Sequence, residues 1–95
     1  MKIVWSEDAL RDYHQNIDYL LLSWPVETVQ KFINEVDWVL EILKISPKAF
    51  PLSDYKSARR AVIRKQITLF YRIEGDVIHL IRFWNTYQNP ETINL

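Results

Sequence analysis

The hydrophobic pattern changes period near the middle of the chain. After a short apolar stretch, Lys2-Ile3-Val4-Trp5, the residues Ala9, Leu10, Tyr13, Ile17, Leu20 and Leu21 fall largely at three- and four-residue spacing. That spacing lines one face of a helix. Ser6 stands where an N-cap is needed, and Glu7 and Asp8 sit where the helix dipole favours acids. Ser23-Trp24-Pro25 interrupts the stripe, and Pro25 suits the first turn of a second helix, where no N–H is required. Val29, Phe32, Ile33, Val36, Leu40 and Leu43 give that helix its apolar face, with Glu27, Lys31, Glu35, Asp37 and Glu41 opposite. Ser46-Pro47 ends it. So short a turn between two helices predicts an antiparallel hairpin.

Residues 46–58 form a proline-punctuated loop that Phe50 and Leu52 are expected to tack onto the body. Beyond it the period becomes that of strands. Arg60–Arg64, Ile67–Ile73 and Val77–Trp84 are rich in β-branched and aromatic residues. Lys65-Gln66 and Glu74-Gly75-Asp76 are too short for a parallel crossover, so the three strands predict an antiparallel meander. Asn89-Pro90 is expected to end regular structure, with a loose tail at 91–95. The fold class is α+β: an N-terminal strand, a helix hairpin and a meander (β-α-α-β-β-β), with both helices on one face of the sheet.

Both faces of the meander are apolar by strict alternation. Ile67, Leu69, Tyr71 and Ile73 make one face of the middle strand and should meet the helices. In the last strand, Ile78, Leu80, Arg82 and Trp84 oppose Val77, His79, Ile81 and Phe83. Two helices cover one face only, so Phe70, Ile81 and Phe83 are expected to form an exposed patch for a partner, unless the long loop or the tail folds over it.

Composition narrows the class. Ninety-five residues make one domain, 1–95, with a modest core. The chain has no cysteine, which removes disulfides and thiolate metal sites. Neither a signal-peptide order nor a membrane-length apolar run is present, so a cytoplasmic location is expected. The net charge of zero divides unevenly. Residues 1–41 carry three bases and eight acids, a net of −5, and residues 42–95 carry nine bases and four acids, a net of +5. The basic half suits a phosphate backbone or an acidic protein, or the halves attract each other within the fold.

Candidate chemistry is sparse. His14 and His79 lie on different elements without neighbours at ligand spacing, so neither a metal nor another cofactor is expected. His14 reads as a surface residue. His79 is a general base only if it faces a cleft. Asp8, Asp12, Glu35, Asp37 and Glu41 read as solvated helix acids. There is no glycine-rich phosphate loop and no nucleophile elbow. What remains is a basic and aromatic cluster of Arg59, Arg60, Arg64, Lys65, Tyr71, Arg72, Arg82 and Tyr87. Such groups clamp phosphates, stack on bases or bind a protein. For Arg82, set between apolar neighbours, an ion pair with a helix acid is the expected role.

The order of these elements resembles the RelE/ParE superfamily, the toxins of bacterial type II toxin–antitoxin pairs. The resemblance is carried by Trp5-Ser6-Glu7-Asp8-Ala9 with Asp12, by Arg59-Arg60-Ala61-Val62-Ile63, and by Lys65 through Ile73. Ile78 through Asn85, running into Gln88-Asn89-Pro90, completes it. It implies either a RelE-like, metal-independent endoribonuclease acting with the ribosome on messenger RNA, or a ParE-like protein that poisons DNA gyrase. The middle-strand arginine of the ribonucleases falls on Thr68, and the arginine after the last strand falls near Tyr87. Arg60, Lys65 and Tyr87 are then the candidate catalytic groups. These departures and the neutral charge favour a ParE-like toxin, with an inactive, antitoxin-binding descendant as a further reading. The resemblance also implies an antitoxin segment laid over Phe70, Arg72, Ile81 and Phe83.

Overall fold

A computed structural model of the chain describes residues 1–55 and 57–86. Its elements are β1 (Lys2–Trp5), α1 (Glu7–Ser23), α2 (Val26–Ile45), β2 (Arg59–Arg64), β3 (Ile67–Glu74) and β4 (Val77–Asn85). Ser6 caps α1 as its sequence predicts, its Oγ accepting from the Ala9 N–H at 2.9 Å. Pro25 takes the N-cap position of α2 without a side-chain bond. Gly75, with φ of 62°, supplies the left-handed residue of the β3–β4 hairpin.

The sheet runs β1-β4-β3-β2. β2, β3 and β4 are the antiparallel meander, and β1 adds to its far side, parallel to β4 over Lys2–Trp5. The helix hairpin covers one face. Between the layers lie Leu20, Phe32, Val36, Leu43, Ala61, Ile67, Leu69, Tyr71, Ile78 and Leu80, all fully buried or nearly so.

The outer face departs from strict alternation. Phe70 pairs with Arg82 and Tyr71 with Leu80, which leaves Ile81 as a bulge. A bulge inserts one residue and reverses the side-chain alternation beyond it. Phe83 therefore joins Leu80 on the helix side. It is 2% exposed, stacks on Trp5 at 5.5 Å between ring centroids and lies 5.8 Å from Tyr13. The exposed patch of Phe70, Ile81 and Phe83 is not formed. Phe70 does point outward, but Tyr55 of the long loop packs edge-on against it at 5.9 Å, and it is only 8% exposed. Covering by the loop, the alternative left open by the pattern, is what occurs.

The bulge has a local cause. β1 is short, so beyond Leu80 the edge of β4 away from β3 has no strand beside it, and Ser6 and α1 supply the missing partners. Ser6 N–H donates to the Leu80 carbonyl at 3.1 Å, and Ser6 Oγ donates to that of Ile81 at 3.0 Å. The Asp12 carboxylate accepts the Phe83 N–H at 3.0 Å. Asn85 donates to the Asn16 side chain at 2.8 Å, and Asn16 donates to the Asp12 carbonyl at 2.9 Å. Asp12, Asn16 and Asn85 are all buried, and each has a hydrogen-bond partner, as buried polar groups require. Asp12 thus leaves the set of solvated helix acids.

Candidate functional site

The cations of the second half are dispersed rather than pooled. Arg82 is engaged by Asp12, with Nε 2.6 Å and Nη2 3.1 Å from the two carboxylate oxygens. This bidentate pair holds the guanidinium pKa above its ordinary value, chiefly through the hydrogen bonds to Asp12 and against the desolvation that lowers it. The same guanidinium lies 5.2 Å from the Trp84 ring centroid, a cation–π distance. The ion pair with a helix acid is therefore the role Arg82 fills. Arg59 donates to the Phe50 carbonyl at 2.7 Å and so anchors the loop. Arg64 Nε lies 3.0 Å from Glu35 of α2, an ion pair that removes Glu35 too from the solvated acids.

Arg60 and Lys65 remain exposed, but at opposite ends of β2. Arg60 lies near the start of β2, and Lys65 lies in the turn just past its end, beyond the irregularity between Val62 and Arg64. Tyr87, the third candidate, lies outside the described residues. Thr68 and Arg72 share the outer face with Phe70, and Ile81 is half-buried at the bulge. His79, partly buried, lies 3.6 Å from the exposed Glu74 near the β3–β4 turn, and His14 is exposed on α1. No cluster of three or more acids and histidines suited to a metal occurs among the described residues. Among the described residues, the exposed cations Arg60 and Lys65 are thus not brought together.

Tyr71 and the loop show how the face is held. Tyr71 is fully buried, and its hydroxyl donates to the Pro47 carbonyl at 2.8 Å. Burial raises its pKa, opposed by the nearby Arg59 charge. The Phe50 ring meets the Tyr71 ring edge-on at 6.5 Å. Ser53 N–H and Oγ both donate to the Ala58 carbonyl at 2.8 Å, closing the turn that presents Tyr55. Phe50 does tack the loop to the core, whereas Leu52 stays exposed. Exposed apolar side chains lie elsewhere, with Leu22, Val26 and Ile45 near the helix ends and Trp38 and Val62 at one groove. A groove of about 370 Å³ between α2 and β2 is lined by apolar residues, Trp38, Ile42, Phe50 and Val62 among them, together with Asn34 and Glu35. Trp38 is 69% and Val62 61% exposed. Sequence reasoning missed it because a lone valine facing out of β2 and a tryptophan off the helix stripe carry no periodic signal.

The family model of the ParE toxin of the type II toxin–antitoxin system parDE matches residues 3–90. The chain belongs to that family of toxins, within the RelE/ParE superfamily. Solved structures repeat the fold at low identity. The chromosomal ParDE system of P. aeruginosa superposes with a TM-score of 0.74 at 16% identity, covering 90% of this chain and 95% of that one. A YoeB/ParE toxin from Agrobacterium tumefaciens gives 0.66 at 17% identity, covering 90% and 98%. The toxin–antitoxin complex YoeB–YefM from Staphylococcus aureus gives 0.62 at 14%, covering 88% and 94%. No curated protein matches the chain by sequence. Among the described residues, no helix is long and apolar enough to cross a membrane.

Proposed function

We propose that this ParE-type toxin arrests growth in the cytoplasm by binding an essential protein such as DNA gyrase, and that a cognate antitoxin neutralises it. The observation that carries the choice of binding over cleavage is the engagement of Arg82 by Asp12, with Thr68 in the middle strand. Together they take one arginine out of reach of a phosphate and put a neutral side chain in the middle strand, where a nuclease of this family would need a cation. The antitoxin half of the reading rests on the family and on relatives solved with their antitoxins. On this surface Arg72 and Ile81 meet the antitoxin directly. Phe70 joins them when Tyr55 is displaced, and Phe83 acts from behind by fixing the course of β4.

Induced expression should stop growth, and co-expression of a small acidic protein encoded beside the toxin should restore it. Purified toxin should block supercoiling by gyrase and leave ribosome-bound messenger intact. Mapped messenger cleavage that disappears on changing Lys65 or Tyr87 would establish the ribonuclease reading instead. Expression without growth arrest would mark an inactive descendant.

A further inference from the structure

Cations from both halves of the chain meet where the helix hairpin turns. There the α1–α2 connection and the β2–β3 turn border a cleft of about 410 Å³, lined by Trp24, Lys31, Glu35, Arg64, Lys65 and Gln66 among others. An irregularity in β2 brings Arg64 to it. Val62 pairs with Thr68 but Arg64 pairs with Ile67, which leaves Ile63 as an extra residue. Cross-strand partners share a face, and Ile67 is buried in the core under the helices. Arg64 is thus re-aimed to the helix side, as bulges re-aim side chains. Its Nε lies 3.0 Å from Glu35 Oε1, yet Oε1 is buried without a hydrogen-bond partner. The guanidinium therefore donates no hydrogen bond among the described residues. Lys31 and Lys65 are exposed and have no acidic partner among the described residues. Three cations against one acid leave the cleft at +2 in a chain whose net charge is zero.

We propose that this cleft binds a free nucleoside 5′-phosphate. The phosphate sits among Lys31, Lys65 and Arg64, the base stacks on Trp24, and the Gln66 amide offers a donor and an acceptor to the base edge. Two features select this class of ligand together. Lysines without acids beside them suit a phosphate, and an arginine with unspent N–H donors suits its oxygens. Trp24 is 49% exposed and gives a planar apolar surface on which a base stacks. A bare inorganic anion would leave that ring in water, and an uncharged planar ligand would leave the lysines unpaired. The volume lies in the range of about 300–1,000 Å³ typical of small-molecule sites. The cleft lies on the helix side of the sheet, apart from Phe70 and Arg72, so the inference does not depend on the proposed function. Only Lys65 is shared with the ribonuclease alternative, and the test leaves it untouched.

Calorimetric titration of the purified protein with adenosine 5′-monophosphate, adenosine and inorganic phosphate tests this directly. The monophosphate should bind saturably and more tightly than either of its parts. Trp24→Ala should weaken it about tenfold, the loss expected of one base stack, and leave phosphate binding unchanged. Lys31→Glu should weaken the monophosphate and phosphate alike and leave adenosine unchanged, and added salt should act in the same sense. Amide resonances of Trp24, Lys31 and Gln66 should shift on titration. Lys31 is exposed on α2, so its variant keeps the fold and carries the test if Trp24→Ala lowers the unfolding midpoint. Absence of saturable binding, or binding indifferent to Lys31→Glu, overturns the proposal. Phosphate bound as tightly as the monophosphate overturns it in favour of a bare anion site. A single-stranded thymidine oligonucleotide that binds where the monophosphate does not overturns it in favour of a nucleic-acid contact.

Discussion

The two seams where helices meet the sheet are closed in opposite ways. At the α1–β4 seam the sheet edge is sealed by polar side chains: Ser6, Asp12 and Asn16 take up backbone or side-chain groups of β4, and Arg82 joins them. At the α2–β2 seam the edge strand faces an apolar groove in which Trp38 and Val62 remain exposed. The first seam therefore bears on stability, because a buried group that loses its partner keeps its desolvation cost. At the second, Val39 and Ile63 stay in the core while Trp38 and Val62 beside them stand in water. Substitutions of similar size should have very different consequences on the two sides.

The largest effect is expected at Phe83. Phe83→Ala removes a buried ring that packs on Trp5 and Tyr13, and should cost about 4 kcal/mol by the usual range for buried aromatics. Urea denaturation would read this as a lower midpoint at an unchanged slope. A loss of a few tenths would mean that the bulge at Ile81 is absent and Phe83 faces outward. Asp12→Ala comes next, at about 3 kcal/mol, because it strands both the Arg82 guanidinium and the Phe83 N–H. Asp12→Ala combined with Arg82→Met should recover part of that loss if the penalty comes from the stranded charge.

Tyr71→Phe probes the loop anchor with a smaller change. Losing the bond to the Pro47 carbonyl should cost about 1 kcal/mol in thermal or urea unfolding at neutral pH. The hydroxyl also sets a pH dependence. Its folded pKa is raised by burial, so the folded state holds the proton more tightly than the unfolded chain. That stability is fully present below about pH 10 and is lost as pH rises through the folded value. Tyr13, raised by burial and by Asp37, acts in the same direction. Wild-type stability should thus fall with rising pH above that point, and Tyr71→Phe should fall less steeply.

Most of the architecture was legible because it rests on local periodicity. The α1 stripe, the Ser6 cap, the Pro25 break and the hairpin at Gly75 are each written in neighbouring residues. The parallel placement of β1 beside β4 was not, since a four-residue strand carries no mark of its partner. The site was harder to read for the same reason. Alternation assigns Phe83 to the outer face, and the reversal is accompanied by contacts far apart in sequence, Ser6 with Ile81 and Asp12 with the Phe83 N–H. Arg82 was readable as an ion-paired residue because a charge between apolar neighbours must find a partner. Asp12 was not readable as that partner, because an acid on an amphipathic helix looks the same whether it faces water or a strand edge.

The smallest expected effect tests the open seam. Trp38→Ala should change unfolding stability by no more than about 0.5 kcal/mol, as for other surface positions away from buried networks. A tryptophan left 69% in water has gained little from folding, and its neighbours Val39 and Leu43 remain buried without it. If Trp38→Ala were as costly as Asp12→Ala, the groove would be part of the core and both seams would serve stability. A near-zero cost would instead leave the tryptophan without a structural role in the isolated chain. Its large exposed apolar surface would then be explained by what binds there, as exposed patches generally are.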